Sequence, residues 1–446
     1  MKINILLVLL LCVLSTNAQI INTFAGTGTA ATSGDGGPAT AAALNWPSGI
    51  FSDQSGNIYI GESEGYVIRK VNTSGVISTF AGTGIGGHSG DGGPATAARI
   101  GASQAIGIDS LGNIYIGEGD TPRIRKISTS GIITTIAGTG ARGFSGDGGP
   151  ATAATFDQFT SIAVDQHGNV YVGDTYNHRI RKINSSTGII TTIAGNGSSG
   201  DSGDGGPSTG ATLGLIIGLS TDKIGNLYVR DDSAFRIRKI NSSGIISAVT
   251  RAGVGSITGD GGPATAATIG ANGGGMIVDA GGNLYIVENN GHSVRKINAT
   301  DGKINTVIGT GTSGFSGDGG PASSATFYGP WSIAIAPNGN IYITDLGNMR
   351  VRYIRSTVGV TDIIEKTAQI TLSPNPATAG AFTLNINTGI PETAQITITN
   401  VTGSTVSALP GETNKVMDIQ LDVPKGLYFV TVTTSHGVWV EKVVVD

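Results

Sequence analysis

Short runs of β-branched and aromatic residues punctuate this chain, and glycine, asparagine or aspartate closes each one. The stretch from Thr160 shows the plan. Ser161–Val164 is an apolar run, and Asp165–Gly168 carries turn residues. Asn169–Val172 is a second run, closed by Gly173-Asp174. Arg179–Ile183 alternates charged and apolar positions, and Ile189–Ala194 is a fourth β-rich run before Gly195. Period-two alternation bounded by turn residues predicts four short strands in an antiparallel meander. The first three runs recur as a trio ending near Lys70, Lys126, Lys182, Lys239, Lys296 and Arg352.

A second signal keeps the same beat. Ser-Gly-Asp-Gly-Gly-Pro, or a close variant, places Asp35, Asp91, Asp147, Asp204, Asp260 and Asp318 at intervals of 56 to 58 residues. Fixed-period self-similarity marks a repeat architecture. Four strands per copy, set around a circle, make a β-propeller. The reading is therefore all-β, with six blades. The fourth strand runs out of phase with the trios: it appears first as Ile20–Ala25, and the last trio, Ser332–Arg355, lacks one. The N-terminal strand is expected to complete the last blade and leave no open sheet edge. In the Asp loops, glycine permits positive φ and the aspartate is read as bonding the amides that follow it. Pro is read as the first residue of one helical turn made by Ala-Thr-Ala-Ala. Leu44, Ile100, Phe156, Leu213, Ile269 and Phe327 are expected to pin these loops between blades.

Ile162-Ala163-Val164-Asp165, Gly168-Asn169-Val170-Tyr171-Val172, Asp174 and Asn177–Lys182 resemble the repeat of NHL-repeat proteins. That resemblance covers six copies and implies a six-bladed propeller over residues 19–356. Ala336 and Gly273–Gly275 depart from the pattern. Function does not follow, since this fold hosts binders, lyases and signalling modules. After an expected linker at 357–368, residues 369–446 change punctuation and predict a small C-terminal β-sandwich. Ser373-Pro374-Asn375-Pro376, Gly426-Leu427-Tyr428-Phe429-Val430 and the terminal Glu441–Val445 run resemble the sorting domain of the type IX secretion system of some gram-negative bacteria. The resemblance implies contact with the secretion machinery, removal of the tail, and a propeller released or held at the outer cell surface. The alternative is an accessory sandwich, such as a carbohydrate-binding one.

Composition narrows the partners. Lys2, the apolar run Ile3–Leu14 and small residues at Thr16 and Ala18 predict a signal peptide, residues 1–18, cleaved before Gln19. No stretch reaches the ~20 apolar residues of a spanning helix, so no transmembrane segment is expected. Cys12 is the only cysteine, so the processed chain would hold no disulfide. A net charge of -4 supplies no basic field, and no nucleic-acid partner is expected. A monomer is expected.

The loop aspartates invite a calcium reading, but each copy offers one carboxylate where calcium takes roughly six to eight oxygens. A turn-forming role is favoured, with calcium as the cofactor alternative. Glu62, Glu118, Asp174, Asp231, Glu288 and Asp345 form a second acidic column, expected to pair with Arg69, Arg125, Arg181, Arg238, Arg295 and Arg352 on the next strand. Of the histidines, only His178 and His292 share a repeat position, too few for a zinc site. What varies between copies lies where the chain approaches each innermost strand and in the loop between the second and third strands. Trp46, Ser48, Tyr66, Gln104, Thr160, Tyr176, His178, His292 and Trp331 are therefore the candidate ligand-binding residues, around one mouth of the central channel. Trp46 and Trp331 equally suit a role as plugs between blades. The first reading is a secreted, non-enzymatic binding propeller for an extracellular glycan or protein. Its rivals are a metal-dependent lyase or lactonase at the channel mouth, and a purely structural surface protein.

Overall fold

A computed structural model describes residues 19–355, 369–387, 393–434 and 438–446. The expected leader, 1–18, and linker, 357–368, lie outside the described residues. The chain divides into two compact units, Met1–Ser356 and Thr357–Asp446.

Among the described residues, the first unit holds six four-stranded antiparallel sheets. Their first strands are Pro47–Ser52, Ser103–Ile108, Ile162–Val164, Ile216–Thr221, Met276–Val278 and Pro330–Ile335. Each packs on the next, and Pro330–Ile335 packs on Pro47–Ser52, so the circle closes. These six strands line a cavity of about 290 Å³ at its centre. The third sheet shows the local rule: Val170 faces Ile183 and Val172 faces Arg181 across one ladder, while Ile183 faces Ile190 across the next. Alternate side chains point into the seams between sheets, where isoleucine and valine from two neighbouring sheets share one core. One such core joins Ile50, Ile58 and Ile60 of the first sheet to Ala334, Tyr342 and Val351 of the sixth.

The sixth sheet takes strands from both ends of the repeat array. Ile21–Ala25 pairs antiparallel with Arg350–Ile354, Ile21 opposite Ile354 and Thr23 opposite Arg352. Phe24 then meets Tyr342 edge-on, centroids 4.8 Å apart.

The Asp loops carry a short turn of 3-10 helix, as at Ala39–Ala41 and Ala95–Ala97. Proline precedes the turn instead of opening it: Pro38 is extended, φ −62° and ψ 134°. Its strand-like bridge to Val76 draws it out of the helical region. Leu44, Ile100, Phe156, Leu213, Ile269 and Phe327 are fully buried behind these turns.

In the second unit, Gln369–Ser373, Ala381–Asn387 and Val416–Gln420 form one sheet. Thr393–Asn400, Thr405–Glu412, Gly426–Thr433 and Val438–Val445 form another. Leu384 and Ile386 of one sheet share a core with Ile396, Ile398, Val430 and Val432 of the other, which is a sandwich arrangement.

Candidate functional site

The charged columns lie inside the molecule. Arg69, Arg125, Arg181, Arg238, Arg295 and Arg352 are all essentially inaccessible, so they contribute no basic surface. Five contact the acid of the preceding strand, from Arg69–Glu62 at 2.8 Å to Arg295–Glu288 at 3.9 Å. In the fourth sheet Asp231 instead accepts the amides of Gly214 and Ala234.

Each of these arginines also grips the loop aspartate of its own repeat, at 2.5 to 2.8 Å. In five repeats the aspartate's second oxygen takes a hydrogen bond from the fourth strand, as from the Thr79 amide to Asp35, the Thr192 hydroxyl to Asp147 and the Thr23 hydroxyl to Asp318, whereas that of Asp204 meets Arg236 at 2.9 Å. The loop aspartate is thus a long-range clamp between a buried guanidinium and the outer strand, and not a local turn-former. One arginine serves two acids in most repeats. Burial outweighs that shared charge at the inner acids: Glu118 is pushed up to about 7, and Asp174 and Asp345 to about 6. The half-exposed Asp35, Asp91 and Asp260 are held low, because hydrogen bonds from the fourth strand and the arginine charge together outweigh their partial burial.

At one mouth of the channel, the chain approaching each inner strand meets the loop between the second and third strands. The Ser63 amide donates to Trp46 O at 3.1 Å, and the Tyr176 amide to Asp157 O at 3.1 Å. The backbone here is unusual. Tyr66, His178, Phe235, His292 and Met349 share one repeat position and all adopt positive φ, between 45° and 51°. Such conformations are costly for non-glycine residues and persist only when the surroundings impose them. At His178 the carbonyl presses on Gly195, where a Cβ would lie 2.1 Å from it.

The candidate residues fall into three groups. Trp46 and Tyr176 are exposed, at 43% and 53%. Tyr328 joins them at 53%; its ring lies 6.2 Å from that of His292. No repeat pattern marks Tyr328, because the other five copies place Asn45, Gly101, Asp157, Gly214 and Gly270 at this position. A second group bonds across sheet boundaries. Thr160 donates to Ile216 O at 3.1 Å, His178 Nδ1 lies 3.1 Å from Gly214 O, and the Gly329 amide donates to His292 Nδ1 at 3.2 Å. Burial holds His292 below the ordinary imidazole range, which suits a ring nitrogen that accepts. The third group lies deeper. Ser48 is buried, its Oγ 3.4 Å from Gly61 O. Tyr66 is half-buried against Gly86. Trp331 lines the central cavity together with Thr160. Gln104 lies in the inner strand Ser103–Ile108. The structure thus separates the exposed aromatics from the residues that fasten the rim.

Between the fourth and fifth sheets an extra charge is buried. Arg230 stands where the other sheets place Gly61, Gly117, Gly173, Val287 and Thr344. Its guanidinium donates to Val287 O at 2.7 Å, Gly270 O at 3.1 Å and Glu288 Oε2 at 3.1 Å. Gly273 makes room for it, since a Cβ there would fall 1.5 Å from Arg230 Nη2. This accounts for Gly273, whereas Gly274 lies against the Trp331 carbonyl, 2.2 Å from where a Cβ would be. Among the described residues no three His, Cys, Asp or Glu side chains gather as a metal site.

Comparison with known proteins fits this architecture. Residues 371–446 match the secretion system C-terminal sorting domain family, and 156–183 and 327–352 match the NHL repeat. Residues 14–85 match the teneurin NHL domain. Human teneurin-1 is 26% identical over 389 residues, covering 76% of this chain and 13% of that protein. Mouse teneurin-1 is 28% identical, covering 54% and 10%. The chain thus spans about a tenth of the length of these curated relatives. Among solved structures, a protein of unknown function from Bacteroides thetaiotaomicron superposes with TM-score 0.57 at 18% identity, covering 76% of each chain. An auxiliary nutrient binding protein from the same organism gives 0.54 at 16%, covering 75% and 76%.

Proposed function

We propose that this chain, a protein of NHL repeats ending in a secretion-system C-terminal sorting domain, is a secreted binding propeller that holds an extracellular glycan at the aromatic mouth of its channel. The supporting observation is the contrast within one rim. Histidines and threonines there are spent on inter-sheet bonds, whereas Trp46, Tyr176 and Tyr328 stay exposed although burying them would be favourable. Exposed aromatic faces stack on the apolar faces of pyranose rings, and neighbouring amide and hydroxyl groups take up the sugar hydroxyls. The sorting domain provides the route outward, across the outer membrane, with the tail removed afterwards. The propeller would then act at the cell surface or in the medium. The same fold serves a protein described as nutrient binding, which is compatible with this role.

The test is a glycan-array and calorimetric screen of the full chain, repeated with a Trp46→Ala/Tyr176→Ala/Tyr328→Ala variant. The reading expects at least a tenfold loss of affinity for the bound glycan, with the melting temperature kept. Unchanged affinity would overturn it.

A further inference from the structure

The repeat carries a second decorated position, on the opposite face from the aromatic rim. In four sheets a lysine of the third strand lies over a tyrosine of the second: Lys70 over Tyr59, Lys126 over Tyr115, Lys182 over Tyr171 and Lys296 over Tyr285, at 5.3 to 5.6 Å. The tyrosine hydroxyl donates to the aspartate of the adjoining turn, as Tyr115 does to Asp109 at 2.9 Å. These grooves are therefore charged. The one between the second and third sheets, about 380 Å³, is lined by Asp109, Lys126 and His167.

The sixth sheet breaks the rule at both charged positions. Ala336 replaces the aspartate and Tyr353 replaces the lysine. Tyr353 stacks beside Tyr342, 6.0 Å between centroids and 23° between planes, and Phe24 closes on both. The groove between the sixth and first sheets measures about 690 Å³, with Phe24, Tyr342 and Tyr353 in its wall and no acidic residue in its lining. Asn72 and Asn338 lie at its edge, with Arg355 on the rim. The protein's own bonds to these asparagines engage the Oδ1 atoms, which accept backbone amides. Their NH2 groups remain as donors. The groove thus exchanges an ion pair for an aromatic wall flanked by amides, at a volume suited to a small ligand.

We infer that this groove is a second, lateral binding site for an uncharged saccharide. The rings of Tyr353 and Phe24 would stack on the sugar faces, and Asn72, Asn338 and Arg355 would donate to its hydroxyls. A charged ligand is disfavoured, because a single arginine on the rim offers little to an anion and no lining carboxylate meets a cation. The site exists only with the ring closed, since Phe24 belongs to the N-terminal strand. It is independent of the aromatic rim.

The molecule supplies its own control: Tyr353→Lys restores the lysine that the other five sheets carry at this position, with Ala336 unchanged. Cellohexaose and maltohexaose are titrated into the full chain by calorimetry, with the melting temperature recorded for each variant. The expected result is binding of at least one oligomer, weakened tenfold or more in Tyr353→Lys and kept in the Trp46→Ala/Tyr176→Ala/Tyr328→Ala variant. Binding of neither oligomer, equal binding by Tyr353→Lys, or loss only in the rim variant would each overturn the inference.

Discussion

Arg230 of the fourth sheet reaches Glu288 of the fifth at 3.1 Å, both side chains fully buried. The contact exists because residue 273 has no Cβ. Gly273→Ala is expected to displace the guanidinium and leave Glu288 with only its longer ion-pair contact, to Arg295 at 3.9 Å, a defect on the order of 3–5 kcal/mol. In an Arg230→Ala background the same substitution should cost under about 1 kcal/mol, since the space is then vacant. Chemical denaturation of the four proteins of this cycle measures the difference. Additive effects would show that Gly273 does not act through Arg230.

Ile21–Ala25 seals the ring through its ladder with Arg350–Ile354. Deleting residues 19–28 opens that edge and uncovers Tyr342 and Tyr353. A fall of ~10 °C or more in the melting temperature is expected, with a new tendency to aggregate through the exposed strand. Calorimetry and light scattering on the truncated chain check both.

Asp147 lies 2.7 Å from Arg181 and accepts from the Thr192 hydroxyl. Asp147→Asn keeps the shape and removes the charge, at an expected cost of about 1–3 kcal/mol. Because both oxygens serve the protein, millimolar calcium or a chelator should move the melting temperature by less than ~1 °C. A calcium-dependent rise of several degrees, abolished by Asp147→Asn, would make these loops ion sites.

Two sets of carboxylates pull the pH profile in opposite directions. Glu118, Asp174 and Asp345 are raised to about 7, 6 and 6 by burial. Their contribution is fully present below their ordinary values of 4.5 and 3.8 and is lost as pH rises through 6 to 7. Asp35, Asp91 and Asp260 are lowered, so their contribution is present above 3.8 and lost as pH falls beneath it. The melting temperature is therefore expected to peak between about pH 4 and 6 and to decline toward pH 8. Glu118→Gln should flatten that decline near pH 7. A profile rising steadily from pH 5 to 8 would contradict the assignment.

The strands, the closing sheet and the buried pins were legible because each repeats a short pattern with local causes. The alternation at Arg179–Ile183 and the orphan run at Ile20–Ala25 are two examples. The clamp between Asp147 and Arg181 was not read, although its 34-residue spacing recurs in most repeats; sequence shows two columns without showing which one crosses to the other. Pro38 was placed inside the turn because its φ suits a helix, and only the bridge to Val76 reveals that its ψ does not. The Gly273–Gly275 run registered only as an anomaly. The cause of Gly273, Arg230, stands some forty residues away, where the chain offers no local hint of contact. At the rim, residue type marked Trp46 and Tyr176, but exposure rather than type separates them from Ser48.

In the third sheet, Asn184 to Gly188 turns the chain from third strand to fourth. The sixth sheet has the same two strands in the same register with no such connection, and the Arg355 amide still donates to Ile20 O at 3.3 Å. A hairpin-length peptide inserted between these two residues would supply the missing turn covalently. The wheel then has no privileged beginning. Severed at any one of its aspartate-glycine loops, it should assemble as a circular permutant.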